Sequence, residues 1–320
     1  MKVGMIFTGG TIGTVEDHEH VRVLDDSNDG LLMSCFDKDD EIIRTSPFLV
    51  MSENIKAADL NVLERTVRDM IGEVDGIVIT YGMDTLQYAA AFLGYSFADA
   101  DIPIMMLTSF KPLDQEGSNG MTNLRCALDF IRNRRGTGVF VPYSDDNVTT
   151  YIHMGTRLLQ NYDYQLKVRS ISGMYVGYYD CDGYHSNELC CGCDRSGRID
   201  CTGLKERSGI MVVRPYVGMP GTYVPEDVTD VILVPYRSGT MDLTDEILTD
   251  MLDGCRKKNI SMWMVGKIPG VDYSSMSGLD DVKILPKMTV VSTYVKLWMI
   301  RSSGLDAKRM SEPVAGDIII

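Results

Sequence analysis

Short apolar runs that break into glycine or small polar residues, separated by stretches with helical periodicity, leave the first 135 residues of this chain few ways to fold. Residues 3–7, 76–80 and 104–107 are apolar runs of strand length, and 48–51 is a shorter one. Between them Leu60, Leu63, Val67, Met70 and Ile71 recur at the spacing of one helix face. Residues 85–97 read as an alanine-rich apolar helix and 119–134 as another. Strands alternating with helices in this way build βαβ units, with a parallel sheet covered by helices on both faces. The first half is therefore expected to be a doubly wound α/β domain.

The rest of the chain is less regular. Residues 139–141, 148–152 and 168–171 look like short strands of a meander, and 180–209 is polar, rich in glycine and cysteine, and aperiodic. Strand-like runs at 210–213, 231–235 and 260–265 then alternate with helical patterns at 244–257 and 290–301. At roughly 100–200 residues per domain, 320 residues suffice for two. The expected layout is a larger N-terminal α/β domain over 1–185, a linker over 186–209 and a smaller C-terminal α/β domain over 210–320.

Composition narrows the function. Thirty-one Lys and Arg against 45 Asp and Glu give a net charge of −14, which repels polyphosphates and argues against a nucleic-acid partner. No apolar run approaches the roughly 18 residues of a membrane-spanning helix. The opening MKVGMIFTGG enters a strand directly and lacks the pattern of a signal peptide. Eight cysteines and 21 methionines without an export signal point to a reducing, cytoplasmic setting with free thiols.

In open α/β sheets, ligands bind beyond the carboxyl ends of the strands. That rule singles out residues 8–14, 52–54, 81–85 and 108–109. In the first segment, Thr8-Gly9-Gly10-Thr11-Ile12-Gly13, two glycines let the backbone turn sharply and approach a ligand closely. It has neither GxGxxG spacing nor a following Gly-Lys-Ser/Thr, so it does not read as a phosphate loop. It is either a structural turn or the presentation of Thr11 as a nucleophile, whose hydroxyl would need an adjacent base. In Thr80-Tyr81-Gly82-Met83-Asp84-Thr85-Leu86, Asp84 is placed to cap a helix or to turn its carboxylate to the crevice.

Taken in order, TGGTIG, MSEN, GIVITYGMDTL and LTSFKPLDQEGSNGMTNL resemble the bacterial-type L-asparaginases of the cytoplasmic, type I kind. Gly155-Thr156-Arg157, PYRSGTMDLTDEIL and PKMTVVSTYVKLW extend the resemblance to nearly the whole chain. It implies the two-domain α/β fold, no cofactor, no metal, a small amino-acid or amide ligand, and pairing into a homodimer or homotetramer. It makes Thr11 the nucleophile, Ser52 and Glu53 the pair holding the ligand's charged ends, and Asp84 a catalytic carboxylate. Gly10, Gly82 and Met83 would line the substrate, the glycine turns offering backbone N–H groups as an oxyanion hole.

Three departures stand beside this. The family threonine paired with a lysine is Met83 here, and a thioether neither attacks nor moves a proton. The lysine position falls on Gln160, which cannot act as a base. The stretch 14–35, where a lid tyrosine is expected, has no tyrosine. Tyr81, Lys111 and Lys167 are the replacements the sequence offers. The expected activity is hydrolysis of asparagine or a related small side-chain amide, impaired or altered. The alternative is a non-catalytic amino-acid-binding or regulatory protein on the same fold. Elsewhere, Cys181, Cys190, Cys191, Cys193 and Cys201 crowd together without clean zinc spacing. Asp17-His18-Glu19-His20 reads as a solvated acidic loop, and His153 as a core or edge histidine.

Overall fold

The apolar runs at 3–7, 76–80 and 104–107 pair side by side. The computed structural model describes residues 1–16, 22–24, 29–160, 166–190, 197–266, 273, 276 and 278–319. In chain order these form β1 (Lys2–Phe7), the antiparallel pair β2 (Thr14–Glu16) and β3 (Arg22–Leu24), the short α1 (Asp29–Met33) and β4 (Glu41–Thr45). Next come α2 (Ala57–Met70), β5 (Gly76–Thr80), α3 (Leu86–Ser96), β6 (Pro103–Leu107), α4 (Gly120–Arg132), β7 (Gly138–Ser144) and β8 (Thr150–Met154). β9 (Gly177–Asp180) and β10 (Gly183–Ser186) complete a sheet of eight strands in the order β10-β9-β8-β7-β6-β5-β1-β4.

From β4 to β7 the sheet is parallel, and β8 to β10 extend it antiparallel. β5, β6 and β7 are buried along their whole length because helices cover both faces. Leu60, Leu63 and Val67 of α2 pack on one face with α3, and Leu124, Leu128 and Ile131 of α4 on the other.

Two strand expectations are corrected. The strand beside β1 is β4, not residues 48–51, which make only a bridge between Val50 and Gly9. β4 is a half-exposed edge strand with charged residues, so its apolar signal is weak. Residues 168–171 form no strand; Ser170 bridges Leu158, and Ile171–Gly173 is a single 3-10 turn.

The second sheet is all parallel, β11 (Ile210–Val213), β12 (Asp230–Leu233), β13 (Ser261–Met264) and the short β14 (Lys283–Ile284), with α5 (Glu246–Lys257) crossing between β12 and β13. α6 (Val290–Ser302) is buried on both sides. Val291, Val295 and Met299 join the first core, while Leu297 and Ile300 face the second. Residues 198–205, inside the expected linker, are tied down. The Ile199 amide donates to the Tyr95 carbonyl (3.0 Å) and the Leu204 amide to Asn61 Oδ1 (2.7 Å). No described helix is long and apolar enough to cross a membrane.

Of the clustered cysteines, Cys181 is exposed on the β9–β10 turn, Cys190 is buried against Arg157, and Cys201 packs beside the first core. Cys191 and Cys193 lie outside the described residues, as does 17–20. All six described cysteines are free thiols.

Candidate functional site

Three loops meet beyond the carboxyl ends of β1 and β5. The first turns at Gly9 (φ 104°) and Gly10 (φ 77°) into a 3-10 turn over Thr11–Gly13. Both dihedrals lie where L side chains are strained, so the two glycines are required by the turn itself. Thr8 locks this loop to β5: its amide donates to Thr80 Oγ1 (3.2 Å) and its hydroxyl donates to the Thr80 carbonyl. The second loop runs alongside, the Val50 amide donating to the Thr8 carbonyl at 3.0 Å, and ends in the 3-10 turn Ser52–Asn54. The third is Tyr81–Thr85, leading into α3.

The loops touch at backbone level. A Cβ on Gly10 would sit 2.5 Å from Gly82 Cα, and one on Gly82 would sit 2.6 Å from Ser52 Cβ. The Ser52 hydroxyl donates to Asp84 Oδ2 (3.2 Å), and the Thr85 hydroxyl donates back to the Ser52 carbonyl (2.8 Å). The structure thus brings Gly10, Gly82, Ser52 and Asp84 together, with Thr11 following Gly10 and Glu53 following Ser52. Ser52 is buried, Thr11 and Met83 are half-buried, and Glu53 and Asp84 are exposed. Asp84 is not the N-cap of α3; that position belongs to Thr85.

The replacement positions have partners of their own. The Tyr143 hydroxyl donates to the Leu166 carbonyl and lies 3.7 Å from Met83 Sδ. Gln160 Oε1 accepts from the Tyr88 hydroxyl of α3 at 3.2 Å. Arg157, three residues before Gln160, is fully buried and donates to the Gly316 carbonyl (2.7 Å), which makes it a packing residue. Tyr81 is buried with its hydroxyl 3.3 Å from Thr85 Oγ1, and desolvation raises its pKa well above the usual phenol value. It therefore stays protonated and supplies no base. Lys111 Nζ is held by the Glu116 carbonyl (3.0 Å) and Lys167 Nζ by Asp145 (3.6 Å). Among the described residues the Thr11 hydroxyl has no hydrogen-bond partner.

Two residues at this end of the sheet are not singled out by the sequence. Asn119 accepts from the Phe110 amide (3.1 Å) and donates to the Ser144 carbonyl (2.8 Å), joining the loop after β6 to the end of β7. Tyr143, near the carboxyl end of β7, closes the site behind Met83, and desolvation raises its pKa also. The rule that selects the other loops applies equally to the end of β7. Residues 139–141, however, read as a short meander strand, which hides that β7 pairs parallel with β6 at its start and runs on to Ser144.

Comparison with known proteins agrees with this layout. The family model described as Asparaginase, N-terminal matches residues 2–167. In sequence, the chain is 31% identical over 160 residues to an L-asparaginase of Thermococcus kodakarensis, a match covering 49% of this chain and 47% of that protein. It is 30% identical over 178 residues to one component of the glutamyl-tRNA(Gln) amidotransferase of Haloquadratum walsbyi, covering 50% of this chain and 37% of the relative. The chain thus matches less than half the length of these curated relatives. In structure it superposes over its full length on the thermostable L-asparaginase of T. kodakarensis, with a TM-score of 0.78 at 22% identity. It also superposes on L-asparaginase I of Vibrio cholerae, with a TM-score of 0.82 at 18% identity and 99% of that chain covered. At such identities the likeness speaks to the fold. With the family model spanning more than half of the 320 residues, this chain belongs to the asparaginase family.

Proposed function

We propose that the chain binds a small amino acid, asparagine or aspartate, where the loops of Thr11, Ser52–Glu53 and Asp84 meet. The observation that carries this is the backbone contact of Gly10, Gly82 and Ser52, which sets the Ser52 hydroxyl beside the Asp84 carboxylate, with Glu53 next to Ser52 in the chain. Glu53 and Asp84 suit an α-ammonium, and the Ser52 hydroxyl and loop amides suit a carboxylate. Amide hydrolysis at this place would have Thr11 Oγ attack the side-chain amide carbon. Ammonia would leave with the proton taken from Thr11, and water would cleave the resulting ester. The first step needs a base, and the groups around Thr11 argue that turnover is impaired or redirected. Met83 and Gln160 move no protons, and Tyr81 holds its own. A second reading, amino-acid binding without turnover, is favoured by the Thr11 hydroxyl, which has no hydrogen-bond partner among the described residues. On either reading the protein acts in the cytoplasm as a homodimer or homotetramer, with units at 1–185 and 210–320 joined through 186–209.

Calorimetry with aspartate tests the binding half. Glu53→Ala removes a charge-assisted contact of about 1.5–3 kcal/mol, so affinity should fall at least about tenfold. Unchanged affinity would remove Glu53 from the site.

A further inference from the structure

A cavity of about 540 Å³ opens between α2, α3, β11 and α6, within the size range of small-molecule pockets. Its lining is aromatic. Tyr88 meets Tyr294 edge to face at 6.0 Å between ring centroids, and Tyr294 meets Trp298 at 5.7 Å. The polar tips of all three are already engaged. Tyr88 donates to Gln160 (3.2 Å), Tyr294 bonds Ser208 (3.1 Å) and Trp298 Nε1 donates to the Lys205 carbonyl (3.0 Å). The rings therefore offer apolar surface rather than hydrogen bonds. Two cations, Lys56 and Arg214, also line the cavity. Neither has an ion pair or side-chain hydrogen-bond partner among the described residues, although the molecule carries a net charge of −14. Unpaired cations at an aromatic cavity in so acidic a protein are charge complementarity for one anion.

We propose that this cavity binds a small monocarboxylate bearing an aromatic ring. The ring packs among Tyr88, Tyr294 and Trp298, and the carboxylate is neutralised by Arg214 and Lys56. A guanidinium fork matches a carboxylate, and two single charges within an acidic field favour one negative charge over a polyanion. Thr85, whose hydroxyl bonds the Ser52 carbonyl, lines this cavity too, but the proposal does not depend on how the Thr11 site functions.

The test uses the intact protein and phenylacetate. Trp298 is one of only two tryptophans, and the other, Trp263, is buried with its Nε1 bonded to Asp230 at 2.8 Å. Titration with phenylacetate should change tryptophan fluorescence saturably. Calorimetry should find phenylacetamide and acetate at least tenfold weaker. Arg214→Gln and Lys56→Gln are exposed substitutions whose folding is checked by thermal unfolding, and each should weaken phenylacetate at least fivefold. Four results would overturn the proposal: no saturable binding, phenylacetamide binding as tightly as phenylacetate, phenyl phosphate binding tighter than phenylacetate, or full competition by aspartate. So would sedimentation showing that Trp298→Arg dissociates an oligomer, since a second copy would then be the occupant.

Discussion

His153 shows how much a single buried side chain couples this fold to pH. Its Nδ1 lies 2.8 Å from Ser170 Oγ, and its buried Nε2 has no partner among the described residues. Desolvation, aided by the positive charge of Arg169, pulls its pKa from 6.5 down to about 3. The unfolded chain therefore takes up a proton between pH 6.5 and 3 that the folded chain refuses. Stability is full above 6.5 and is lost as pH falls toward 3. Relative to His153→Gln, the wild type should lose about 2 kcal/mol of unfolding free energy between pH 7 and 5; urea titrations at both values measure this, and parallel curves would contradict it. The sequence marks His153 as a core or edge residue, and here pattern and structure agree. Gly82 is less legible. Its need for glycine comes not from an unusual dihedral but from Ser52, 30 residues earlier in the chain. Gly82→Ala should push Ser52 from Asp84 and weaken aspartate binding at least tenfold while leaving most of the stability, read by calorimetry and thermal unfolding. Unaltered binding would show that the loops have slack.

At the scale of elements, the parallel strands and their helices are readable because burial on both faces writes an uninterrupted apolar run. β4 is not, because an edge strand mixes Glu41 and Arg44 with Ile42 and Ile43. α6 is readable as a helix, but its double burial is not. It carries Lys296, which is wholly buried and donates to Asp317 Oδ2 (2.8 Å) and to the Glu312 carbonyl (2.5 Å). Tyr95 of α3 donates to the same Asp317 oxygen at 2.9 Å, so α3, α6 and the C-terminal segment share one buried ion pair. Burial lowers the Lys296 pKa while Asp317 opposes the shift. Lys296→Met leaves the Asp317 charge unpaired and should cost about 3–5 kcal/mol. The double variant Lys296→Met/Asp317→Leu should recover much of that loss in urea unfolding. A single variant as stable as wild type would mean the pair contributes nothing.

Over the whole molecule, α6 packs into the cores of both sheets, and Ile199 and Leu204 are bonded to Tyr95 and Asn61 of the first. Arg301 at the end of α6 reaches Asp230 at the start of β12 (2.6 Å), while Val291 and Val295 at its other end pack with α3. A pattern of periodicities shows the two α/β units but not which helix serves both, because sharing depends on contacts nearly 200 residues apart, such as Tyr95 to Ser292. The family is legible from loop motifs that follow strands, and so are the departures from it, since Met83 and Gln160 are single letters in otherwise matching segments. Their surroundings, Tyr143 behind one and Tyr88 behind the other, need the fold. On the proposed function, the loops of Thr11, Ser52 and Asp84 hold a ligand while Met83 and Gln160 move no protons. Ammonia release from asparagine, measured for wild type, Thr11→Ala and Met83→Thr/Gln160→Lys, tests it most directly. Slow release by the wild type, none by Thr11→Ala and faster release by the double variant are expected; robust wild-type turnover, or turnover that survives loss of the Thr11 hydroxyl, would refute the proposal.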